Sequence, residues 1–403
     1  MSKTVIARSE ATKQSTWREC KLGDVCINIA YGYTASANSE RIGPKFVRIT
    51  DIVPARINWD TVPFCQIDES KKEQYRLEIG DIVIARTGAT TGYNKVIRDN
   101  VDAVFASYLI RYKINSKIAN PSYVAYNLQS YEWKGFVEGI IGGSAQPGAN
   151  AKQFASFNFL LPPLEEQKAI AEVLSSLDDK IDLLHRQNKT LEELAQTLFR
   201  QWFIEEAKDE WEEYKVRDFA THKKVSIKPA QNPNDEFLHF SLPAFDTNKE
   251  PNIELGSDIK SNKYQVEPFS ILMSKLNPKT PRVWDIYFEP KVNSICSTEF
   301  QVIQPNEKGL FPFISTLLKS DKVIGDLTMS ASGTSGSHQG VKPEDILNIN
   351  FLTPSVDKIR EFSELLEPNY LKQMKNQNQI KTLENMRDTL LPKLMSGEVR
   401  VES

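Results

Sequence analysis

The sequence predicts an α+β protein: two similar globular domains joined by two long helices that pair antiparallel within the chain as a coiled coil. Three observations carry this. First, the chain repeats itself in order. Trp17-Arg18-Glu19 is matched by Trp211-Glu212-Glu213, LEIGDIVIAR (77–86) by VEPFSILMSK (266–275), GGSAQPGANAKQF by SGTSGSHQGVKPEDI, and FNFLLPP by INFLTPS, at offsets of 189 to 194 where they align closely. Second, each repeat runs into a helical pattern of about forty residues whose apolar positions recur every 3.5 residues. Third, 403 residues exceed one ordinary core, whereas each repeat is an ordinary domain size.

Taken in order, residues 1–16 lack the apolar stretch of a signal peptide and are set aside as a flexible leader. Residues 17–160 form the first domain. Its strand signals are KFVRITDIV, GDIVIART and AVFASYLIRYKI, with a short helix over 120–136. Residues 161–207 form the first long helix. Its seam is Ile170, Leu174, Leu177, Ile181, Leu184, Asn188, Leu191, Ala195, Leu198 and Trp202, and a polar seam residue such as Asn188 fixes register at some cost in stability. Glu165 and Glu166 follow Pro162-Pro163, where carboxylates suit the positive end of a helix.

Residues 208–353 form the second domain, with strands in PFSILMSKL and SICSTEFQVIQ and a helix over 309–320. Residues 354–403 form the second long helix and a tail. Its seam runs Ile359, Phe362, Leu366, Asn369, Gln373, Asn376, Ile380, Leu383, Arg387, Leu390 and Leu394, and Pro368 should kink or interrupt it. A 40-residue helix is about 60 Å long at ~1.5 Å per residue, so the simplest pairing is one long helix against the other.

Composition excludes several classes. No apolar run is long enough to span a bilayer. Cys20, Cys26, Cys65 and Cys296 show no CxxC spacing, which argues against a zinc site and for a reducing cytoplasm. The net charge of −3 is unevenly spread: residues 17–160 hold 17 basic against 14 acidic side chains, and 161–210 hold 6 against 12. The acidity therefore lies on the first helix and its exit. No GxGxxG, P-loop, nucleophile elbow, HExxH or kinase set occurs. The Asn-Pro-Pro-aromatic motif of an amino-methyltransferase is also missing, with Asn277-Pro278-Lys279 only a partial echo.

The chain resembles the specificity subunit of type I restriction–modification systems. LPPLEEQKAIAEVLSSLDDKIDLL (161–184) looks like the family's central conserved region and LLPKLMSGEVRV (390–401) like its C-terminal one. GDIVIARTG, GGSAQPGANAKQF and SKLNP…STEFQVI look like recurring segments of its target-recognition domains. The resemblance covers residues 17–401, although the second repeat lacks the second proline and the Glu-Glu-Gln. It implies a non-catalytic subunit whose two target-recognition domains each read one half of a bipartite double-stranded DNA site. The helices would be the spacer and the docking surface for two methyltransferase subunits, with restriction/translocase subunits joining them. S-adenosylmethionine, ATP and Mg would belong to those partners, with no cofactor or metal bound by this chain. The alternative is a coiled-coil scaffold whose paired domains bind protein.

Base edges are read by Arg, Lys, Asn, Gln, Ser and Thr, and phosphates by basic and hydroxyl groups. Polar, Gly-rich loops therefore supply the DNA-binding candidates. In the first domain these are Tyr31, Tyr33, Thr34 and Asn38; Arg86, Thr87, Thr90, Tyr93 and Lys95; and Ser144, Gln146 and Asn150. In the second they are Lys275, Asn277, Lys279 and Arg282, and Thr334, Ser335, Ser337, His338 and Gln339.

Overall fold

A computed structural model describes residues 5–7, 17–54, 56–142, 148–247, 249–278, 280–289, 292–332 and 340–401. The chain forms two compact units, residues 1–183 with 379–403, and residues 184–378. The division falls inside both long helices, so each unit holds one globular domain and a stretch of each helix. Among the described residues no helix is long and apolar enough to cross a membrane.

In the first unit the central sheet has four antiparallel strands in the order Cys26–Tyr31, Leu109–Ile114, Asp81–Ala85, Asn94–Val96. Every residue of Asp81–Ala85 is buried, because the strand is covered on both faces. Lys45–Val47 pairs in parallel with Ala103–Phe105. Arg18–Lys21 pairs with Asn158–Leu161, which joins the start of the repeat to its end. The segment KFVRITDIV is strand only over Lys45–Val47. The Asp51 carboxylate accepts from the Arg48 N–H at 2.8 Å and pairs with the Arg48 guanidinium, and this turns Ile49–Ile52 into a helical turn.

The second unit repeats the plan. Its four-stranded sheet runs Ala220–Lys223, Phe300–Pro305, Ser270–Ser274, Val283–Ile286, again antiparallel and in the same topological order. Glu212–Lys215 pairs with Asn350–Thr353 as Arg18–Lys21 pairs with Asn158–Leu161. A five-stranded sheet, containing the parallel pair Glu236–Phe240 and Asn293–Cys296, replaces the small parallel sheet of the first unit. The expected helices resolve into pairs, Pro121–Asn127 with Tyr131–Ile141 and Phe311–Leu318 with Asp321–Ser332.

The long helices are Leu164–Arg200, extended by one π turn over Gln201–Glu205, and Val356–Ser396. Within each unit they run antiparallel. In the first, Ile170, Ala171 and Leu174 share a core with Leu394 and Met395, and Asp178 Oδ1 accepts from Arg387 Nη1 at 3.2 Å. In the second, Ala195, Phe199 and Phe203 share a core with Ile359, Phe362, Leu366 and Tyr370. Of the seam residues, Leu174, Ile181, Leu184 and Ile380 are buried, and Leu177, Asn188, Leu191, Leu198, Leu383 and Leu390 are half-buried. The interruption expected at Pro368 does not occur, and the helix runs through it without a break. Buried Leu366 and Tyr370 hold the turn on either side, and that packing outweighs the one backbone hydrogen bond a proline removes. Tyr370, rather than the half-buried Asn369, turns into the core, where its ring packs tilted against Tyr287 and edge-to-face with Phe311.

Asn376 is fully buried and its Nδ2 donates to Asn188 Oδ1 at 2.7 Å. Asn188→Leu leaves that amide only the 3.5 Å contact to Gln187 Oε1. It should cost ~1–3 kcal/mol, whereas replacing both asparagines by leucine should be neutral or stabilising. Thermal melts of the single and double variants check this, and equal losses in both would contradict it.

Candidate nucleic-acid interface

One end of the four-stranded sheet carries the polar loops in both units, and the backbone there is built twice in the same way. In the first unit the residue after the central strand is Arg86. Its N–H donates to the Tyr108 carbonyl at 3.0 Å and its carbonyl accepts from Ala149 N–H at 2.9 Å. Thr87 then bridges Gly148. In the second unit the residue after the central strand is Lys275. Its N–H donates to the Glu299 carbonyl at 2.8 Å, its carbonyl accepts from Val341 N–H at 2.8 Å, and Leu276 bridges Gly340. A basic residue thus stands at the same knot of three segments in each unit.

The side chains follow suit. The Arg86 guanidinium lies 4.9 Å over the Tyr31 ring, and the Lys275 ammonium 5.3 Å over the Tyr264 ring. An aromatic face holds a cation by its quadrupole and leaves the opposite side of the cation open to an anion or a base edge. The Lys275 ammonium also donates to the Thr298 carbonyl. Around Arg86, Tyr31, Tyr93 and Tyr108 are 43%, 50% and 62% exposed. Exposed aromatic faces beside a cation suit a nucleic acid, whose bases stack and whose phosphates are anionic. Tyr108 is not in a Gly-rich loop, but it has a visible sequence signal of its own: a tyrosine in the short turn between two strongly apolar strands.

The turn after each knot needs a left-handed residue. In the first unit it is Gly88, with φ of 76°, and in the second it is Asn277, with φ of 55°. Asparagine is one of the few non-glycine residues that enters this region readily. The Asn277-Pro278 pair is therefore the counterpart of a glycine turn. Thr90 and Thr34 lie in exposed or half-exposed loop positions, Thr90 with its carbonyl accepting from Tyr93 N–H.

Several other candidates are engaged in local structure. Asn38 Oδ1 accepts from the Glu40 N–H, and its backbone pairs with Phe64. Asn150 caps the helix Ala151–Ala155, its side chain accepting from Gln153 N–H at 2.9 Å. Tyr33 packs against Tyr75 with ring centroids 5.2 Å apart, inside a small apolar cluster. Arg282 makes two hydrogen bonds to Asp246, at 2.6 and 3.0 Å. Lys95 lies on the hairpin strand opposite Val83, within electrostatic reach of Asp178 and Arg98. Burial pushes its ammonium down to about 8, with Asp178 opposing the shift. Ser144, Gln146, Lys279, Thr334, Ser335, Ser337, His338 and Gln339 lie outside the described residues.

The domain-to-helix junctions also explain the LEEQ segment. Glu166 is more than a helix-start carboxylate: it accepts from Trp17 Nε1 at 3.0 Å and lies 3.1 Å from Arg400 Nε. Gln167, almost fully buried, accepts from Asn120 N–H and donates to the carbonyls of Ile118 and Pro162. Further along the same helix, Asp179 pairs with Arg56 and Arg98.

The comparisons with known proteins agree with this architecture. The family model described as the type I restriction modification DNA specificity domain matches residues 14–193. The chain is 27% identical over 357 residues to the type I restriction enzyme MjaIX specificity subunit of Methanocaldococcus jannaschii, covering 81% of this chain and 77% of that one. It is 21% identical over 216 residues to the EcoKI specificity subunit of Escherichia coli, covering 51% and 46%. In fold it is similar to the type I restriction–modification S subunit from M. genitalium, with a TM-score of 0.59 and 12% identity over 96% of this chain and 98% of that one. The first domain and most of the first long helix thus match the type I restriction modification DNA specificity domain, and the chain as a whole is similar in sequence and in fold to type I specificity subunits.

Proposed function

We propose that the chain is the DNA sequence-recognition subunit of a type I restriction–modification complex in the cytoplasm. Each globular domain reads one half of a bipartite site, and the paired helices serve as spacer and as the docking surface for two methyltransferase subunits. The chain carries no catalysis of its own. S-adenosylmethionine, ATP and Mg are handled by the methyltransferase and restriction/translocase partners. The observation that supports this best is the duplicated knot, with Arg86 and Lys275 in the same backbone setting over a tyrosine ring. Two half-sites call for two equivalent readers.

Co-expression with the neighbouring methyltransferase in a methylation-free host, followed by genome-wide mapping of modified bases, tests the reading. One split motif, dependent on this chain, is the expected result. A soluble, associated pair that methylates nothing would refute it. Arg86→Ala should weaken the site by ~1–3 kcal/mol if the guanidinium reads a base edge, and relax one position in one half-site only. Lys95→Ala should leave the motif and the salt dependence unchanged, because that ammonium is half-buried in the free chain and burial pushes it down to about 8. Binding of each variant complex to the mapped site at several salt concentrations separates the two cases.

A further inference from the structure

The first domain meets its stretch of the long helices through two kinds of contact. Ile170, Ala171 and Leu174 share an apolar core with Leu161, Tyr123 and Tyr126 of the domain. One and two turns further along the same helix, at Asp178, Asp179 and Asp182, the contact becomes ionic. Arg56 pairs with Asp179, and its Nη1 lies 3.5 Å from Asp182 Oδ2. Arg98 Nη1 lies 3.1 Å from the same Asp179 oxygen, and Arg98 Nη2 donates to the Tyr126 hydroxyl at 3.3 Å. That hydroxyl donates in turn to Asp178 Oδ2 at 2.6 Å, and the other Asp178 oxygen takes Arg387 from the second long helix.

The two domain arginines come from separate loops that are tied to each other. Arg56 follows the helical turn Ile49–Ile52, and Arg98 follows the strand Asn94–Val96. Trp59 Nε1 from the first loop donates to Asp99 Oδ2 in the second at 2.8 Å. The second unit fills the corresponding place differently. Aligning Asn158–Leu161 with Asn350–Thr353 sets Tyr370 where Asp178 stands. Ser130 and Ser320 each accept from an N–H at the start of the second helix of their pair, and aligning them sets Thr316 where Tyr126 stands. Thr316 Oγ1 and the Tyr370 hydroxyl are 3.3 Å apart, and both residues are buried. The contact between domain helix and long helix thus leads into a half-exposed ion-pair network in the first unit and into an apolar core in the second.

A core at one end of a contact leaves the tilt of the domain to be settled by whatever meets the helix further along. We propose that Arg56 and Arg98, with Asp178, Asp179 and Asp182, are positioning residues. They brace the first domain against its stretch of the helix pair and so set which spacer length between half-sites the chain accepts. This rests on the recognition function proposed above, in which the paired helices are the spacer. Ion pairs between half-exposed groups are individually weak and are screened by salt, whereas buried packing is not. The brace is therefore the adjustable joint of the first domain, and spacer discrimination erodes as salt is raised.

The test uses the complex with the methyltransferase and duplexes that carry the mapped motif with its spacer unchanged, or longer or shorter by one base pair. Affinity for the unchanged spacer divided by affinity for an altered one measures discrimination, and the counterion contribution common to the duplexes cancels in that ratio. Asp179→Asn removes the partner of both arginines. Asp179 is exposed, so its replacement leaves the fold intact, and a thermal melt verifies this. Discrimination should fall by about twofold to fivefold, the worth of such pairs. Altered spacers should then enter the genome-wide methylation map, with the bases of both half-sites unchanged. Asp179→Glu keeps the charge and should restore most of the loss, and Arg56→Gln should lower discrimination in the same direction. Unchanged discrimination in Asp179→Asn and Arg56→Gln, with a wild-type complex that binds one bipartite motif, would overturn the brace alone. Equal weakening for every spacer would also overturn it, since the pairs would then serve stability only. A wild-type complex with no bipartite motif would overturn the recognition reading and the brace with it.

Discussion

Lys319→Met should destabilise residues 184–378 by ~3–5 kcal/mol, the cost of leaving buried charges without their partner. The Lys319 ammonium sits 2.6 Å from Asp285 Oδ2 and 2.9 Å from Glu192 Oε1. Ser315 Oγ completes Asp285 with a 2.7 Å hydrogen bond. The side chains of Lys319 and Asp285 are each only 15% exposed. Burial alone would push the ammonium down, but Asp285 and Glu192 outweigh it and hold it above its ordinary value. The cluster ties the first long helix, the hairpin strand and the turn after Phe311–Leu318 together. Removing the lysine leaves two carboxylates facing a gap.

For a unit of this size the loss corresponds to a fall on the order of 10 °C in melting temperature. The signs of the pH dependence are fixed. A lysine whose folded value is raised contributes fully below its ordinary value and loses that contribution only as pH rises through the raised one. Glu192 is lowered by Lys319, so its contribution is present above its ordinary value near 4.5 and fades as pH falls through the lowered one. The difference between wild type and Lys319→Met should therefore be flat across neutral pH and shrink in acid. Denaturant melts at pH 7 and below pH 4 measure it, and a difference under about 1 kcal/mol at pH 7 would show the cluster to be solvated. Replacing Lys319, Asp285 and Glu192 together by apolar residues should recover most of the loss, since the desolvation cost goes with them.

This cluster was not legible in the sequence, and the reason is general. Glu192, Asp285 and Lys319 lie far apart in the chain and obey no spacing rule. Periodicity reports which face of an element is apolar, not which lone charges meet inside a core. The same holds for Glu166, whose place after a proline pair reads as a helix start while Trp17 and Arg400 converge on it from the two ends of the chain. Elements with a repeating pattern were legible. The four-stranded sheets follow from runs such as GDIVIA and FSILMS, and the long helices from their seams, because burial of one face imposes a period. Where a strong local contact competed, as between Arg48 and Asp51, the pattern lost to it.

Loop chemistry divided in the same way. Polar loop composition picked out Arg86 and Lys275, but could not separate them from Asn150, which caps a helix, or Arg282, which is clamped by Asp246. A side chain left partly open at a loop and one engaged in a turn have the same letter.

Phe362→Ala is expected to cost ~3–5 kcal/mol, the range for deleting a fully buried phenylalanine. Its ring is fully buried and packs at 5.2 to 6.1 Å against Phe203, Trp202, Phe199 and Phe313. Those five rings come from both long helices and from the domain helix Phe311–Leu318, so the cluster fixes the second domain to the helix pair. The seam pattern placed Phe362 and Trp202 there. It missed Phe199 and Phe203, because beyond Leu198 the helix presents a wider face than a two-position seam, and it ends in the π turn Gln201–Glu205. A cavity at this point cannot close by moving one side chain, since its lining is shared by three elements. Phe362→Leu fills most of the volume and should lose less than half as much as Phe362→Ala. Melting temperatures of the two variants, together with hydrogen exchange across 195–203 and 311–318, measure the effect. If both variants melt within a degree of wild type, the helix pair does not hold this domain through the aromatic cluster. If exchange rises first in Phe311–Leu318 while the helices stay protected, the cluster fixes the domain to its rod rather than the rod to itself.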